Sequence, residues 1–166
     1  IINPDRDNDG LTNDEETRLG TNPDNSDTDN DNLNDKQEVN LGSDPTESDS
    51  DNDGLNDGRE YSLGTSLTSS DTDKDGLEDG KEVELGSSPK NKDTDQDGLD
   101  DKSEFYNYGT DLLKSDTDND DITDGSEVNS YETDPKDSDS DNDGLKDGDD
   151  LSKCNPLKSD TDGDGL

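Results

Sequence analysis

The sequence predicts a small-α fold with few secondary structures: an elongated tandem array of loop–short helix repeats without a conventional hydrophobic core. Three observations predict it. Only 17% of the 166 residues are hydrophobic, far below the share that builds an ordinary soluble domain. The formal net charge is −37, from 51 acidic and 14 basic residues. An Asp-x-Asp-x-Asp triplet returns from Asp5, Asp27, Asp49, Asp71, Asp93, Asp116, Asp139 and Asp160, at intervals of 22, 22, 22, 22, 23, 23 and 21 residues. Low hydrophobicity with high net charge is the signature of a chain that stays unfolded by itself, but a disordered acidic tail has no fixed period. The period marks a repeat architecture.

The chain reads as one array over 1–166. Its repeats span 5–26, 27–48, 49–70, 71–92, 93–115, 116–138 and 139–159, followed by a partial copy at 160–166. Each opens on the acidic loop. A segment such as Lys36-Gln37-Glu38-Val39-Asn40-Leu41 follows and suits a helix of about two turns. Gly20, Gly42, Gly64, Gly86 and Gly109 stand where a left-handed residue closes a helix, and Pro23, Pro45, Pro89, Pro135 and Pro156 stop it. The fifth and sixth repeats carry one extra residue before Gly109 and Glu132, which the helix is expected to absorb. Apolar residues recur at Leu11, Leu33, Leu55, Leu77, Leu99, Ile122 and Leu145, at Val39, Tyr61, Val83, Phe105, Val128 and Leu151, and at helix ends such as Leu19 and Leu41. That is about three apolar side chains per repeat. Burying each contributes roughly 1.5–3 kcal/mol, whereas ordering each residue costs about 1–2 kcal/mol in backbone entropy. Another source of stability is needed, and bound divalent cations can supply it.

The loop has the residues to bind them. Counting places from the first Asp, the third repeat offers carboxylates at places 1, 3, 5, 9 and 12: Asp49, Asp51, Asp53, Asp57 and Glu60, with Gly54 at place 6 and the Leu55 carbonyl at place 7. This is the oxygen-ligand spacing of a twelve-residue calcium loop. The same places are Asp5, Asp7, Asp9, Leu11, Asn13 and Glu16 in the first repeat, and Asp27, Asp29, Asp31, Leu33, Asp35 and Glu38 in the second. In the fourth and fifth they are Asp71, Asp73, Asp75, Leu77, Asp79, Glu82, and Asp93, Asp95, Asp97, Leu99, Asp101, Glu104. The sixth has Asp116, Asp118, Asp120, Ile122, Asp124 and Glu127; the seventh has Asp139, Asp141, Asp143, Leu145, Asp147 and Asp150; the partial copy keeps Asp160, Asp162 and Asp164. Place 9 is expected to reach the ion of its own loop, directly or through water. Asn32 and Asp121 replace glycine at place 6, and both tolerate a left-handed backbone better than other side chains. An Asp-x-x-Glu pair before an apolar residue also fits a helix capping box, but that leaves the three preceding Asp residues unexplained. The chain has no His, and an all-oxygen donor set favours calcium over zinc, copper or iron, and over the stricter magnesium. One ion per full repeat is the minimum. Two per repeat would neutralise more of the charge, with further ligands drawn from linker groups such as Asp44, Asp134, Ser26 or Ser48.

The stretch Asp71-Thr-Asp-Lys-Asp-Gly-Leu-Glu-Asp-Gly-Lys-Glu82-Val, with Leu-Gly86 and Ser-Ser-Pro89 after it, resembles the bacterial thrombospondin type-3 repeat, and the resemblance covers essentially the whole chain. It implies a calcium-binding spacer of a secreted or cell-surface protein, joined to other domains of a longer chain. A loop similar to Asp5-Arg-Asp-Asn-Asp-Gly-Leu11 occurs in the cell-binding components of binary bacterial toxins, where two calcium ions share ligands. That similarity implies sharing at places 3, 5 and 12. True EF-hands and dockerins differ in having the apolar residue at place 8.

Acidic charge argues against nucleic acid or an anionic membrane as a partner. No apolar run approaches membrane-spanning length. Without His, and with Cys154 lacking an evident base, no nucleophile–base arrangement is present, so the expected role is not enzymatic. A calcium-dependent adhesive or self-associating module is the alternative, with Phe105, Tyr106, Tyr108 and Tyr131 as its candidate contact residues.

Overall fold

The computed structural model describes residues 4–151 and 155–159. Cys154, Asp160, Asp162 and Asp164 lie outside the described residues. Among the described residues there are seven short helices and no strand. They are α1 (Asn13–Leu19), α2 (Asp35–Leu41), α3 (Asp57–Leu63), α4 (Asp79–Leu85), α5 (Asp101–Ser103), α6 (Asp124–Ser126) and α7 (Asp147–Asp150). Each follows one acidic loop. The chain divides into two compact units, Ile1–Glu84 and Leu85–Leu166.

Each helix begins where the loop ends, and at α2, α3, α5 and α6 the place-8 side chain supplies the cap. Asn34 accepts a hydrogen bond from the Gln37 N–H at 2.8 Å, and the Gln37 side chain returns to the Asn34 N–H. Asn56, Asp100 and Thr123 cap α3, α5 and α6 in the same way. The Asp-x-x-Glu pair is therefore no capping box. Asp35 is the first helical residue, one place beyond the cap, and Glu38 stands free of the cap altogether.

The far end closes on a left-handed residue. The Gly42 N–H (φ 93°) donates to the Glu38 carbonyl at 2.7 Å, and Gly20 and Gly64 repeat the arrangement on Glu16 and Glu60. The extra residue of the fifth and sixth repeats widens this closure. α5 and α6 run on into π turns, Glu104–Tyr108 and Glu127–Tyr131. Gly109 and Glu132 then reach back five residues to the same place-12 carbonyls, at 2.6 and 2.7 Å. The insertion is absorbed inside the helix, and both ends of the closure keep their partners.

Hydrocarbon makes up little of the interior. The place-7 side chains Leu11, Leu33, Leu55, Leu77, Leu99 and Ile122 are buried, while Leu145 is exposed. The linker position three residues after the closing residue is also covered, by Pro45, Leu67, Pro89, Leu112 and Pro135. The prolines expected to act as stops thus also pack, and leucine replaces them in two repeats. The other expected apolar positions contribute less. Leu19, Leu41, Tyr61, Tyr131 and Leu151 are exposed, and Val39, Val83, Phe105 and Val128 are half-buried. Three apolar contacts per repeat shrink to about two, and the fully buried residues are mostly acidic.

Successive repeats touch through backbone. An ideal Cβ on Gly80 would lie under 3.0 Å from the Asp53 carbonyl oxygen, and Gly125 stands in the same relation to Asp97. Place 10 is glycine there because two main chains meet at that point. Gly80→Ala is expected to destabilise the fold by about 1–3 kcal/mol, as overpacking does where backbone must shift. Denaturant unfolding followed by circular dichroism checks it, and an unchanged midpoint would show that the two main chains are not in contact.

Candidate metal centre

The loop is a wheel of carboxylates held by backbone N–H groups. In the fourth repeat, Asp71 at place 1 accepts from Lys74 N–H at 2.7 Å and Gly76 N–H at 2.9 Å. Asp75 at place 5 accepts from Leu77 N–H at 2.6 Å. The same pattern holds at Asp27 and Asp31, at Asp93 and Asp97, and at Asp116 and Asp120. The chain curls around these acceptors by going left-handed twice, at place 4 (Asn30, Asn52, Lys74, Gln96) and at place 6. Asn32 (φ 81°) and Asp121 (φ 77°) adopt the place-6 conformation expected of them. The left-handed place 4 was not legible beforehand, although Asn at most copies is its signal. The wheel brings three carboxylates together at Asp5–Asp7–Asp9, Asp27–Asp29–Asp31, Asp49–Asp51–Asp53 and Asp71–Asp73–Asp75.

Places 3 and 12 differ from places 1 and 5. Both carboxylate oxygens of Asp29, Asp51 and Asp118 are buried and without a hydrogen bond, and so are those of Glu16, Glu38 and Glu60. Glu38 and Glu60 have no exposed surface, and Asp150, the shorter place-12 residue of the seventh repeat, is equally enclosed. Burial and the surrounding carboxylates push the Glu38 and Glu60 carboxyls up to about 9 and those of Glu104 and Glu127 up to about 8. In the last two, Thr110 and Thr133 donate to Oε1 at 3.1 and 3.0 Å and oppose the rise. Asp29, Asp51, Asp95 and Asp118 rise to about 6 for the same reasons, burial first.

Place 9 has its own role. Asp35 accepts from Thr28 N–H and Thr28 Oγ1, both at 2.7 Å. Asp57, Asp79, Asp101, Asp124 and Asp147 are clamped likewise by Ser50, Thr72, Thr94, Thr117 and Ser140. Each of these hydroxyls also accepts a linker N–H, as Thr28 does from Asn22 at 2.9 Å. The Ser or Thr at place 2 is a functional position the sequence reading missed. Its signal lies within the chain: only the first repeat lacks the hydroxyl, with Arg6, and only that repeat lacks the place-9 carboxylate, with Asn13. Asp79 does not turn only toward its own loop. Its carboxylate, with those of Asp53 and Glu60 of the preceding repeat, forms a buried group whose oxygens lie within 4.8 Å of one another. The linker groups expected as extra ligands make hydrogen bonds of their own. Asp44 and Asp134 are exposed and accept from Thr46 and Lys136 N–H groups, while the Ser26 and Ser48 carbonyls accept from Asp35 and Asp57 N–H groups.

Buried carboxylate oxygens with no donor, supplied by Asp and Glu alone, fit a hard divalent cation. The profile of the bacterial TSP3 repeat matches residues 5–25, 27–48, 49–65, 71–92 and 116–138. The chain belongs to the bacterial TSP3 repeat family. Two solved structures share sequence with this TSP3 array over a short stretch. The BSP domain of a biofilm associated protein is 44% identical over 26% of this chain and 7% of that one, at a TM-score of 0.26. The B domain of a biofilm associated protein is 43% identical over 26% of this chain and 11% of that one, also at 0.26. No curated protein sequence matches the TSP3 array.

The raised carboxyls set a pH dependence. Glu60 has an ordinary value of 4.5 and stands at about 9 in the fold. Without a cation, such a group favours the fold while protonated. That contribution is complete below about pH 4.5 and is lost as pH rises through the folded value. A cation must displace the same protons, so its binding tightens as pH rises. With chelator, the helical signal is expected to be larger at about pH 5 than at about pH 8. With calcium the order reverses, and titration near neutral pH releases protons, which an indicator dye in weak buffer records. Equal helicity at both pH values in chelator would contradict the assignment.

Proposed function

We propose that this TSP3 array is a non-enzymatic, calcium-binding structural spacer of a secreted or cell-surface protein, folded and stiffened by calcium. The observation that carries this reading is the buried place-12 glutamate. Glu16, Glu38 and Glu60 are fully enclosed, and no hydrogen bond reaches their carboxylate oxygens. Leaving a buried charge uncompensated is strongly unfavourable, and a hard cation is the compensation this donor set suits. In the third repeat Asp49, Asp51, Asp53 and Glu60 would hold it, with the equivalent places in the other repeats. Bound calcium supplies positive charge and cross-links loop to helix. The chain's own residues orient the oxygens: the N–H groups of places 4, 6 and 7 aim the carboxylates of places 1 and 5, and the Ser or Thr at place 2 fixes the Asp at place 9.

A site of this kind suits extracellular calcium, at which modules with affinities on the order of 10⁻⁴–10⁻³ M are loaded. Among the described residues no helix is long and apolar enough to cross a membrane. The partners of such a spacer are calcium and the flanking domains of its own longer chain. An adhesive or self-associating role is the second reading, favoured by Tyr106, which is exposed and stands edge-on to Phe105 at 4.8 Å.

Far-UV circular dichroism and small-angle scattering with calcium and with chelator test the proposal. Calcium is expected to raise helicity and to convert an expanded coil into a particle of defined dimensions. Identical spectra and dimensions in both conditions would sink it. Sedimentation of the calcium-loaded chain separates the two readings, since a monomer at every concentration excludes self-association.

A further inference from the structure

The residue that follows the closing position carries a buried hydroxyl: Thr21, Ser43 and Thr65 in the first three repeats, Thr110 and Thr133 in the fifth and sixth. What the hydroxyl touches divides these repeats into two classes. In the first three it stands five residues after the place-12 glutamate. Its own N–H donates to that glutamate's backbone carbonyl, at 3.1 Å from Thr21, 3.2 Å from Ser43 and 3.1 Å from Thr65. Held there, the side chain does not reach the carboxylate. Thr65 Oγ1 donates to the Glu60 backbone carbonyl at 3.4 Å, and the hydroxyls of Thr21 and Ser43 have no partner. In the fifth and sixth repeats the N–H five residues on belongs to Gly109 or Glu132, and the hydroxyl comes one residue later. Thr110 and Thr133 then donate to Oε1 of Glu104 and Glu127 at 3.1 and 3.0 Å. Both carboxylate oxygens of Glu16, Glu38 and Glu60 are buried without a donor, whereas in Glu104 and Glu127 only Oε2 is.

The rest of the loop does not separate the classes. Places 1, 3 and 5 are Asp in all five repeats, and Asp93 and Asp97 accept the same backbone N–H groups as Asp27 and Asp31. Place 6 departs from glycine once in each class, at Asn32 and Asp121. Calcium takes six to eight oxygens and is commonly closed by both oxygens of a place-12 glutamate, while magnesium demands a tight octahedron and keeps several waters. We propose that Thr110 and Thr133 are specificity-determining residues: they hold Glu104 and Glu127 to one available oxygen, so that the fifth and sixth loops accept magnesium as well as calcium, while the first three loops select calcium. The inference rests on the calcium reading above and adds how ion preference differs along the chain. The extra residue of the longer repeats is then a device for changing the donor number without changing any ligand.

The test follows hydrogen exchange of the full chain, helix by helix, in chelator, in magnesium alone and in calcium alone. Magnesium alone is expected to slow the amides of Glu104–Tyr108 and Glu127–Tyr131 by about tenfold or more relative to chelator. It is expected to leave α2 and α3 at their chelator rates, whereas calcium slows all four segments. Thr110→Val combined with Thr133→Val is expected to abolish protection by magnesium in both π turns and to keep protection by calcium. Thr110→Ser combined with Thr133→Ser should restore the parent response. Thr65→Val, which removes a hydroxyl aimed at a backbone carbonyl, is expected to leave the pattern unchanged. The parent comparison needs no variant, so the test stays decisive if valine disturbs its own repeat. Magnesium that protects α2 and α3 as well as the π turns, or protects none of them, overturns the inference and leaves the calcium reading standing. Magnesium protection that survives in the valine variant overturns the role of the two threonines. A parent chain protected by neither ion overturns the functional reading as well.

Discussion

The constraint on which this fold depends is an interior built of carboxylate. At place 12 of the first six repeats a glutamate sits with no exposed surface: Glu16, Glu38, Glu60, Glu82, Glu104 and Glu127. Like charges within 4.8 Å of one another, as the oxygens of the Asp53–Glu60–Asp79 group lie, repel by on the order of 3–4 kcal/mol or more at an effective dielectric constant near 20. A buried leucine returns roughly 1.5–3 kcal/mol. One place-7 leucine or isoleucine and one linker proline or leucine per repeat cannot hold such a group together against its own charge. Hydrocarbon therefore cannot be what closes the repeat, and the place-7 leucine serves to seat the loop rather than to drive folding.

Given that constraint, the acidic residues divide their labour. Places 1 and 5 are structural acceptors whose hydrogen bonds form the wheel. Place 9 is a clamp between its own loop and the repeat before it. Asp29, Asp51 and Asp118 at place 3 and Glu16, Glu38 and Glu60 at place 12 keep oxygens without donors. Spacing alone made these five places look equivalent, because the sequence reports residue type and interval but not which lone pairs the backbone already uses. The repeat, the loop, the left-handed Asn32 and Asp121 and the closing glycines were legible, since each follows from local chemistry. The direction of Asp79 was not, because it depends on how one repeat docks on another. The Ser or Thr at place 2 lay in plain view but served no ligand pattern, and only the Asp79–Thr72 geometry gives it meaning. The apolar expectation failed for a related reason. Val39 and Tyr61 follow the place-12 glutamate directly, and the turn that buries Glu38 and Glu60 leaves Val39 half-buried and Tyr61 exposed.

The two longer repeats show which parts of the unit are fixed. An extra residue could have displaced the place-12 glutamate or the linker. It does neither. The i→i+4 closure of Gly42 on Glu38 becomes an i→i+5 closure of Gly109 on Glu104, and the helix takes up the difference as a π turn. The cost of that less favourable turn is tolerated because moving Glu104 would take a carboxylate out of its group. In exchange the turn lets Thr110 and Thr133 reach the glutamate Oε1 atoms. The Thr65 hydroxyl of an unexpanded repeat points instead at the Glu60 backbone carbonyl.

The glycine at place 10 ties these points together. A helix N-terminus has N–H groups without intrahelical partners, and here the N–H of place 10 is donated to the place-5 carboxylate of the preceding loop, as Gly80 donates to Asp53. The second repeat carries Lys36 at this place, and its N–H still donates to Asp9 Oδ2 at 3.2 Å. The hydrogen bond therefore does not require glycine; the depth of approach does. Where glycine stands, as at Gly80, the helix start meets the preceding loop's place-5 carbonyl with no side chain between them. The hydrophobic surface of a helical repeat array normally sets how its units stack. In this array the place-10 N–H donated to the preceding loop joins neighbouring units, from Lys36 as from Gly80, and what the contact encloses is charge.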